Sequence, residues 1–348
     1  MARGVIMALA AAILFGASTP FAKLLLGKGI DPWLMAGLLY LGSGLGLGTV
    51  WVVRKHIGPD REASLKGADW GWLSLVILAG GVVGPICLMA GLAQTPASTA
   101  ALLLNLEGVA TIALAWTLFG ESADRRLRYG ASAILCGAVV LSWRGGPSPV
   151  GWGALLIVGA CVAWGFDNNL TRKLSGSDPV QIATAKGLIA GIVNLTVALL
   201  NGASIPAGPL LFGALVVGLL GYGVSLVLFV LGLRYLGSAR TGAYFSLAPF
   251  IGSILAIGLF GEPITMQLLL AACFMGVGLY LHLTERHAHW HKHQALAHEH
   301  GHVHDEHHQH VHGPDDPAGE PHSHRHYHPP MEHKHAHYPD LHHRHDHD

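Results

Sequence analysis

Two polar residues, Asn105 and Glu107, interrupt a run from Leu102 to Glu121 that is otherwise apolar enough to cross a bilayer. If the crossing runs from about Pro96 to Phe119, a rise of roughly 1.5 Å per residue leaves Glu107 about 15–17 Å from either end, at the hydrocarbon midplane. A carboxyl group there is costly unless it faces a cavity, finds a partner or keeps its proton. Its natural chemistry is therefore proton or cation exchange along a solute pathway. On a helix Glu107 shares a face with Ala100, Ala110 and Thr111, small residues that leave room for water, a solute or a neighbouring helix. The competing reading is a protonated glutamic acid bonded to a neighbour and serving helix packing only.

A second polar group lies further along. Asp167, Asn168 and Asn169 close one apolar run just before Arg172 and Lys173, and Lys186 lies eight residues beyond Asp178 in the next. Helical rise puts Lys186 about 12 Å deep and Asp167 roughly 8–10 Å from the same face, which allows an ion pair between adjacent helices. Snorkelling of the lysine stem brings its amine nearer the interface. Such a pair could gate one end of a pathway or hold a substrate headgroup. It could also be structural only, since a buried pair breaks even at best in stability and mainly fixes geometry. Lys186 could instead meet Glu107. Glu121 and Glu262 end two matching runs, where the helix macrodipole disfavours a carboxylate, so each needs local compensation; Arg125 and Arg126 are partners for Glu121. These two glutamates read as structural anchors. Tyr40, Trp116, Trp164, Tyr222 and Tyr244 suit a cavity lining, core packing or an interfacial belt.

The elements that position these groups are membrane helices. Of 348 residues 51% are hydrophobic and 12% charged, with 46 glycines and a mean hydropathy of +0.43. That is the profile of a polytopic helical membrane protein, not of a soluble domain. Apolar runs recur at about 4–26, 33–53, 70–92, 96–119, 128–144, 151–172, 179–200, 209–234, 239–260 and 264–283, punctuated by Asp31-Pro32, Gly58-Pro59, Gly145-Gly146-Pro147, Asp178-Pro179 and Pro206 to Pro209. The first run is too long for the apolar core of a signal peptide and reads as an uncleaved helix. Ten crossings put both termini on one side. With the N terminus inside, the cytoplasmic side holds Arg3, Arg54, Lys55, Arg61, Lys66, Arg125, Arg126, Arg128, Arg172, Lys173, Arg234 and Arg240, against Lys23, Lys28 and Arg144 outside. The positive-inside bias therefore predicts cytoplasmic termini in an inner or plasma membrane. Cys87, Cys136, Cys161 and Cys273 fall in different runs without CxxC spacing and read as small packing residues.

The chain also repeats itself. Gly91 to Glu121 aligns without gaps to Gly232 to Glu262 at an offset of 141, with nine of 31 positions identical and Leu-Phe-Gly-Glu closing both copies. Upstream, Asp31-Pro32 matches Asp178-Pro179, and Phe15-Gly16 to Lys23 loosely matches Trp164-Gly165 to Arg172. Five helices per copy is an odd number, so the second copy must be inverted in the membrane. Inverted repeats frame a central site and permit alternating access. The expected fold is an all-α polytopic membrane protein: ten transmembrane helices in two inverted repeats, 1–145 and 150–284, around a central cavity, with a disordered tail over 285–348.

On the paired five-helix arrangement and the helix-terminal pairs Gly120-Glu121 and Gly261-Glu262, residues 4–284 resemble the EamA family of the drug/metabolite transporter superfamily. The resemblance implies a ten-helix basket around a central cavity and transport of small solutes, often outward, without fixing the substrate. One departure is informative. The second copy has the usual mid-helix proline, Ala248-Pro249, where the first has Glu107-Gly108, so Gly108 and Pro249 are the hinge candidates.

The tail is a separate matter. Residues 1–284 hold 16 Lys+Arg against 10 Asp+Glu, while 285–348 hold 5 against 11 together with 23 of the 25 histidines. From His287 onward histidine alternates with any other residue (His287, His289, His291, His293, His298, His300, His302 and His304, then further on). The spacing has neither a helical nor a strand period, and scattered Pro, Asp and Gly point to disorder. Neutral imidazoles suit zinc, nickel, copper or cobalt, with no cofactor required by the membrane part. The tail could buffer metal, sense it, load it or respond to pH. The leading expectation is a secondary carrier for a small organic solute, exporting by proton coupling or exchange in a lipid bilayer. The alternatives are a divalent-metal transporter and a non-transporting metal sensor or buffer. No Walker-type GxxxxGK[ST], HExxH or Ser/His/Asp arrangement argues for an enzyme, no catalytic residue is assigned, and nothing points to nucleic acid.

Overall fold

Apolar runs surrounded by lipid must satisfy their backbone groups internally, and here they do so as helices. The computed structural model describes residues 2–57, 64–65, 67, 69–118, 125–143, 151–171, 174, 177–284, 288–293, 296–302, 322–328 and 331–336, with backbone only at 2, 57, 233–240, 243 and in the last four segments. The helices are α1 (Ala2–Leu26), α2 (Pro32–Ile57), α3 (Asp69–Val76), α4 (Gly84–Gln94), α5 (Ala97–Leu103), α6 (Leu106–Leu118), α7 (Arg125–Ser142), α8 (Trp152–Thr171), α9 (Pro179–Leu200), α10 (Gly208–Gly218), α11 (Ser225–Phe245), α12 (Ala248–Phe260) and α13 (Met266–Leu283). Prolines open several of them, where a missing N–H costs nothing. Asp31 and Asp178 cap α2 and α9, accepting the N–H groups of Trp33 and Leu34 and of Val180 respectively.

Among the described residues eight segments are long and apolar enough to cross a membrane, including Asp69–Gln94, Ala97–Leu118 and Gly208–Gly232. Each of these three is built from more than one helical piece. The other two crossings are α7, which begins with three arginines, and the path from the end of α11 through the apolar α12. α11 is helical throughout but doubles back on itself. The Phe229 and Phe245 rings lie 4.7 Å apart, whereas sixteen residues of straight helix would separate them by about 24 Å. The expected reversal near residue 234 is therefore present within helical backbone.

The two copies pack as a pseudo-symmetric pair. α4 lies on α8 as α11 lies on α1, α6 on α8 as α12 on α1, and α3 on α9 as α10 on α2, while α2 meets α9 and α7 meets α13 across the axis. The α2–α9 seam shows the symmetry atom by atom. A Cβ on Gly44 would stand 2.4 Å from the Leu188 nitrogen, and one on Gly191 would stand 2.7 Å from the Leu41 nitrogen. Each glycine thus admits the other helix's backbone, the close approach that joins helices in lipid without a hydrophobic driving force.

Two departures from regular helix recur in both copies. The third crossing carries a π-helical stretch, Ile77–Val83, and its mate carries another, Leu219–Val224. The fourth crossing breaks at Leu104 and Asn105, and its mate at Ser246 and Leu247. The continuous helix expected over 96–119 is thus two pieces. The break falls three residues ahead of Gly108, and Pro249 sits in the first turn of α12 directly after its own break.

Four short described segments of the tail are extended and paired. β1 (Ala288–His293) runs antiparallel to β4 (Met331–Ala336), and β2 (Leu296–His302) to β3 (His322–His328). Alternation of histidine with other residues is itself a period of two, which suits a strand. Of the four cysteines only Cys161 is buried; Cys136 and Cys273 lie exposed on α7 and α13.

The seam gives a direct test. Gly44→Val or Gly191→Val forces a branched side chain into opposing backbone and is expected to destabilise by about 1–3 kcal/mol or more. Gly276→Val, where a Cβ meets nothing within 4 Å, should have little effect. The melting temperatures of the purified proteins in detergent decide it.

Candidate functional site

The break at Leu104 and Asn105 puts Glu107 in the first turn of α6. A carboxylate there faces the positive end of the helix dipole, a local compensation that a continuous helix would not have offered. Asn105 caps the break: its side-chain amide donates to the Leu102 carbonyl at 2.9 Å and lies 3.8 Å from the Met275 sulfur. Ser246 does the same in the other copy, donating to the Gly242 carbonyl at 2.7 Å.

α8 supplies the partners. Asn168 Nδ2 donates to Glu107 Oε1 at 3.0 Å and to Thr111 Oγ1 at 3.2 Å, and Asn169 Nδ2 reaches the Thr111 carbonyl at 3.0 Å. Thr111 in turn donates to the Glu107 backbone carbonyl at 2.9 Å. α8 comes this close because Gly165 has no Cβ; one added there would lie 3.0 Å from the Thr111 nitrogen. Asn168 is exposed and Glu107 half-buried, so the pair is accessible.

One residue before Asn168, Asp167 is buried and bonded to the Lys186 ammonium, while Thr171 donates to its other oxygen at 3.0 Å. Of the two partners open to Lys186, its hydrogen-bonded contact is Asp167; Glu107 stays within Coulombic reach. Asp167 fits because Gly80 faces it, and a Cβ on Gly80 would fall 2.0 Å from the Asp167 carboxylate. Gly80 lies in the π-helical stretch. Its carbonyl accepts from the Tyr40 hydroxyl at 2.6 Å and from Trp164 Nε1 at 3.0 Å, and the next carbonyl, Gly81, accepts from Asn194 Nδ2 at 2.9 Å.

The symmetry mates of these charged residues are uncharged. Ala248 stands for Glu107, Ser18 for Asp167 and Leu39 for Lys186, and a Cβ on Gly221 would meet Ser18 just as one on Gly80 would meet Asp167. The second half of the site is aromatic. Tyr40 and Tyr222 rings lie 5.5 Å apart, Tyr222 and Phe15 6.0 Å, and Phe15 and Phe245 5.3 Å.

The sequence-derived residues thus converge: Glu107, Asn168, Thr111, Asp167 and Lys186 form one polar group, while Asn105 holds the break beside it. Gly108 has open space around it. Tyr40, Trp164 and Tyr222 belong to the site, while Trp116 faces outward and is exposed. Gly80 and Asn194 were not singled out from the sequence, although an asparagine among the aliphatic residues of α9 was a signal for Asn194; Asn169 was noted beside Asp167, and Phe15 only as part of the repeat. Two surface cavities lie elsewhere: one of about 290 Å³ between α2, α9 and α11 near Arg54 and Asp178, and one of about 230 Å³ at Arg125, Arg128 and Tyr129.

Glu262 finds its compensation at another helix. Its carboxylate accepts the N–H groups of Ala97 at 2.7 Å and Ser98 at 3.0 Å, together with the Ser98 hydroxyl, so the C-terminal carboxylate of α12 caps the N terminus of α5. Nearby, Lys23 donates to the Leu92 carbonyl at 2.5 Å. Glu121, Gly120, Arg172, Lys173, His287 and His304 lie outside the described residues. Among the described residues no three His, Cys, Asp or Glu side chains converge as a metal site.

Ten crossings in two inverted copies, with helix ends and freed carbonyls facing one polar group, define a membrane transporter of the inverted-repeat class. The pattern of the EamA-like transporter family matches residues 2–143 and 151–284, and the chain belongs to that family. An "uncharacterized transporter" of Methanothermobacter thermautotrophicus is 28% identical over 294 residues, covering 80% of this chain and 85% of that protein. YedA, an "uncharacterized inner membrane transporter" of Escherichia coli K12, is 27% identical over 243 residues, covering 68% and 78%. A protein crystal structure aligns with a TM-score of 0.58 over 80% of this chain and 94% of that one, at 18% identity, and carries the fold alone.

A buried ion pair is costly to break on one side only. Lys186→Met, which strands Asp167, is expected to destabilise by about 3–5 kcal/mol, whereas Lys186→Met with Asp167→Leu should recover most of it. Melting temperatures of the three proteins compare them.

Proposed function

We propose that the protein exports a small organic solute by proton coupling or exchange, with Glu107 as the coupling residue. The observation that carries this is a titratable carboxyl at the start of a half-helix inside the bilayer, held by Asn168 and accessible. An intramembrane carboxyl that can be protonated in one state and ionised in another lets a proton and a solute use the same site in turn. The two broken crossings, opposed by symmetry, supply elements whose ends can open alternately to either side. Asp167 and Lys186 hold one wall of that site in place.

The distribution of Lys and Arg supports an inner-membrane orientation with both termini in the cytoplasm. The histidine tail then faces the cytosol, where its neutral imidazoles would hold zinc, nickel or cobalt. In the described tail strands, His291 is opposite His333 and His300 opposite His324 in Cα register.

Two outcomes test these assignments. In proteoliposomes offered metals and metabolite pools together, Glu107→Gln is expected to abolish flux driven by a pH gradient while inserting normally; undiminished flux rejects the coupling role. Green fluorescent protein fused after residue 284 in place of the tail should fluoresce, as it does in the cytoplasm. That fusion should also lose zinc binding by equilibrium dialysis yet keep solute flux. Loss of metal flux instead would make the tail part of a metal carrier.

A further inference from the structure

Resting on the coupling role of Glu107, we propose that the cargo is a monovalent organic cation with an apolar or aromatic body, and that it competes with the proton for the Glu107 carboxylate. The site's charge is the first argument. Two carboxylates, Glu107 and Asp167, face one ammonium, Lys186, and Lys186 is already bonded to Asp167. One negative charge is left over, and it sits on the accessible member of the set. A cation neutralises it, a proton neutralises it, and an anion adds to it. Inside a bilayer an unneutralised charge is expensive, so the loaded site excludes simultaneous proton and cation.

The second argument is the neighbouring ring series. Phe245, Phe15, Tyr222 and Tyr40 form a continuous series of rings, each 5.3–6.0 Å from the next. It reaches the polar group through the Gly80 carbonyl, which Tyr40 and Trp164 share. Trp164 stands one helical turn from Asn168, the residue that binds Glu107. Phe15, Tyr222 and Phe245 are only half-buried, so ring surface remains open to a ligand. Aromatic faces attract cations, most strongly where water is excluded. A carboxylate and a series of ring faces linked through Gly80 suit an ammonium or guanidinium with an apolar body. The symmetry mates Ala248, Ser18 and Leu39 bring no charge that would redirect this preference.

The titratable groups that bear on Glu107 are Asp167 and Cys161 on α8, Lys186 on α9, Tyr40 on α2 and Tyr222 in the second π-helical stretch. α7 also packs on α6, but its Arg125, Arg126, Arg128, Tyr129 and Cys136 are exposed. Lowering the pH therefore loads Glu107 with a proton and should displace the cation, with one proton released per cation bound at a pH where Glu107 is protonated.

The test uses the full-length protein and three probes that share a phenyl body: benzyltrimethylammonium, phenylalanine and 3-phenylpropanoate. Binding to purified protein and pH-gradient-driven uptake into proteoliposomes are measured for each. The cation is expected to bind and move, its affinity falling about tenfold per pH unit on the acid side. Glu107→Gln should lose both binding and pH dependence. Tyr222→Leu should weaken cation affinity about tenfold, and Tyr222→Phe, which keeps the ring face, should retain it. If phenylalanine or 3-phenylpropanoate moves in a Glu107-dependent way and the cation does not, the cation preference is overturned and the transport reading stands. If the cation moves equally in Glu107→Gln, competition at Glu107 is overturned. If the protein moves neither these probes nor any metabolite in an untargeted exchange assay, the transport reading itself fails.

Discussion

A backbone carbonyl released inside a bilayer has to be given a donor, because no water is there to supply one. The π-helical stretch Ile77–Val83 releases such groups at Gly80 and Gly81, and the structure spends its scarce buried polar side chains on them: Tyr40 and Trp164 on the first, Asn194 on the second. The site grows from that requirement. Trp164 must be on α8 to reach Gly80, which sets the rotation of α8 and turns Asp167 and Asn168 toward α9 and α6. The absent Cβ of Gly80 then leaves the space that the Asp167 carboxylate fills.

The duplication supplies geometry twice and chemistry once. Both copies have a π-helical stretch, a broken fourth crossing and a glycine that lets the first helix of one copy approach the start of a half-helix in the other: Gly165 against Thr111, and Gly16 against Ala248 and Gly252. Only one copy carries Glu107, Asp167 and Lys186. Symmetric packing gives two equivalent arrangements of a pseudo-symmetric bundle, while asymmetric charge makes them differ in what they bind. A carrier requires that difference, since a ligand shifts an equilibrium only by its differential affinity for the two states.

Much of this was legible in the sequence because lipid constrains residue type so strongly. An acid or lysine among aliphatic residues stands out, and Glu107, Asp167, Asn168 and Lys186 were visible on that ground alone. The depths of Asp167 and Lys186 followed from helical rise, which made their pairing arithmetic. The break at Leu104 and Asn105 was not legible. Asn105 reads as a polar intruder in a helix, and nothing local shows that it caps a helix end instead. Glu262 was recognised as an electrostatic problem, but its solution, the N terminus of α5 some 165 residues earlier in the chain, required the fold.

The sequence by itself determined the membrane class, the ten crossings, the inverted duplication and the identity of the charged residues. Each of these depends on composition or on order along the chain. Only the tertiary structure decided that Glu107 begins a half-helix rather than interrupting one, that Lys186 bonds Asp167 with Glu107 left accessible, and that aromatic rings from α1, α2 and α11 form a series that reaches the charged group through Gly80. The physical reason is that these facts depend on how close two helices come and how each is rotated. That is set by glycines such as Gly44, Gly80, Gly165 and Gly191, whose effect lies in the absence of a side chain and so has no chemical signature until the neighbouring backbone is in place.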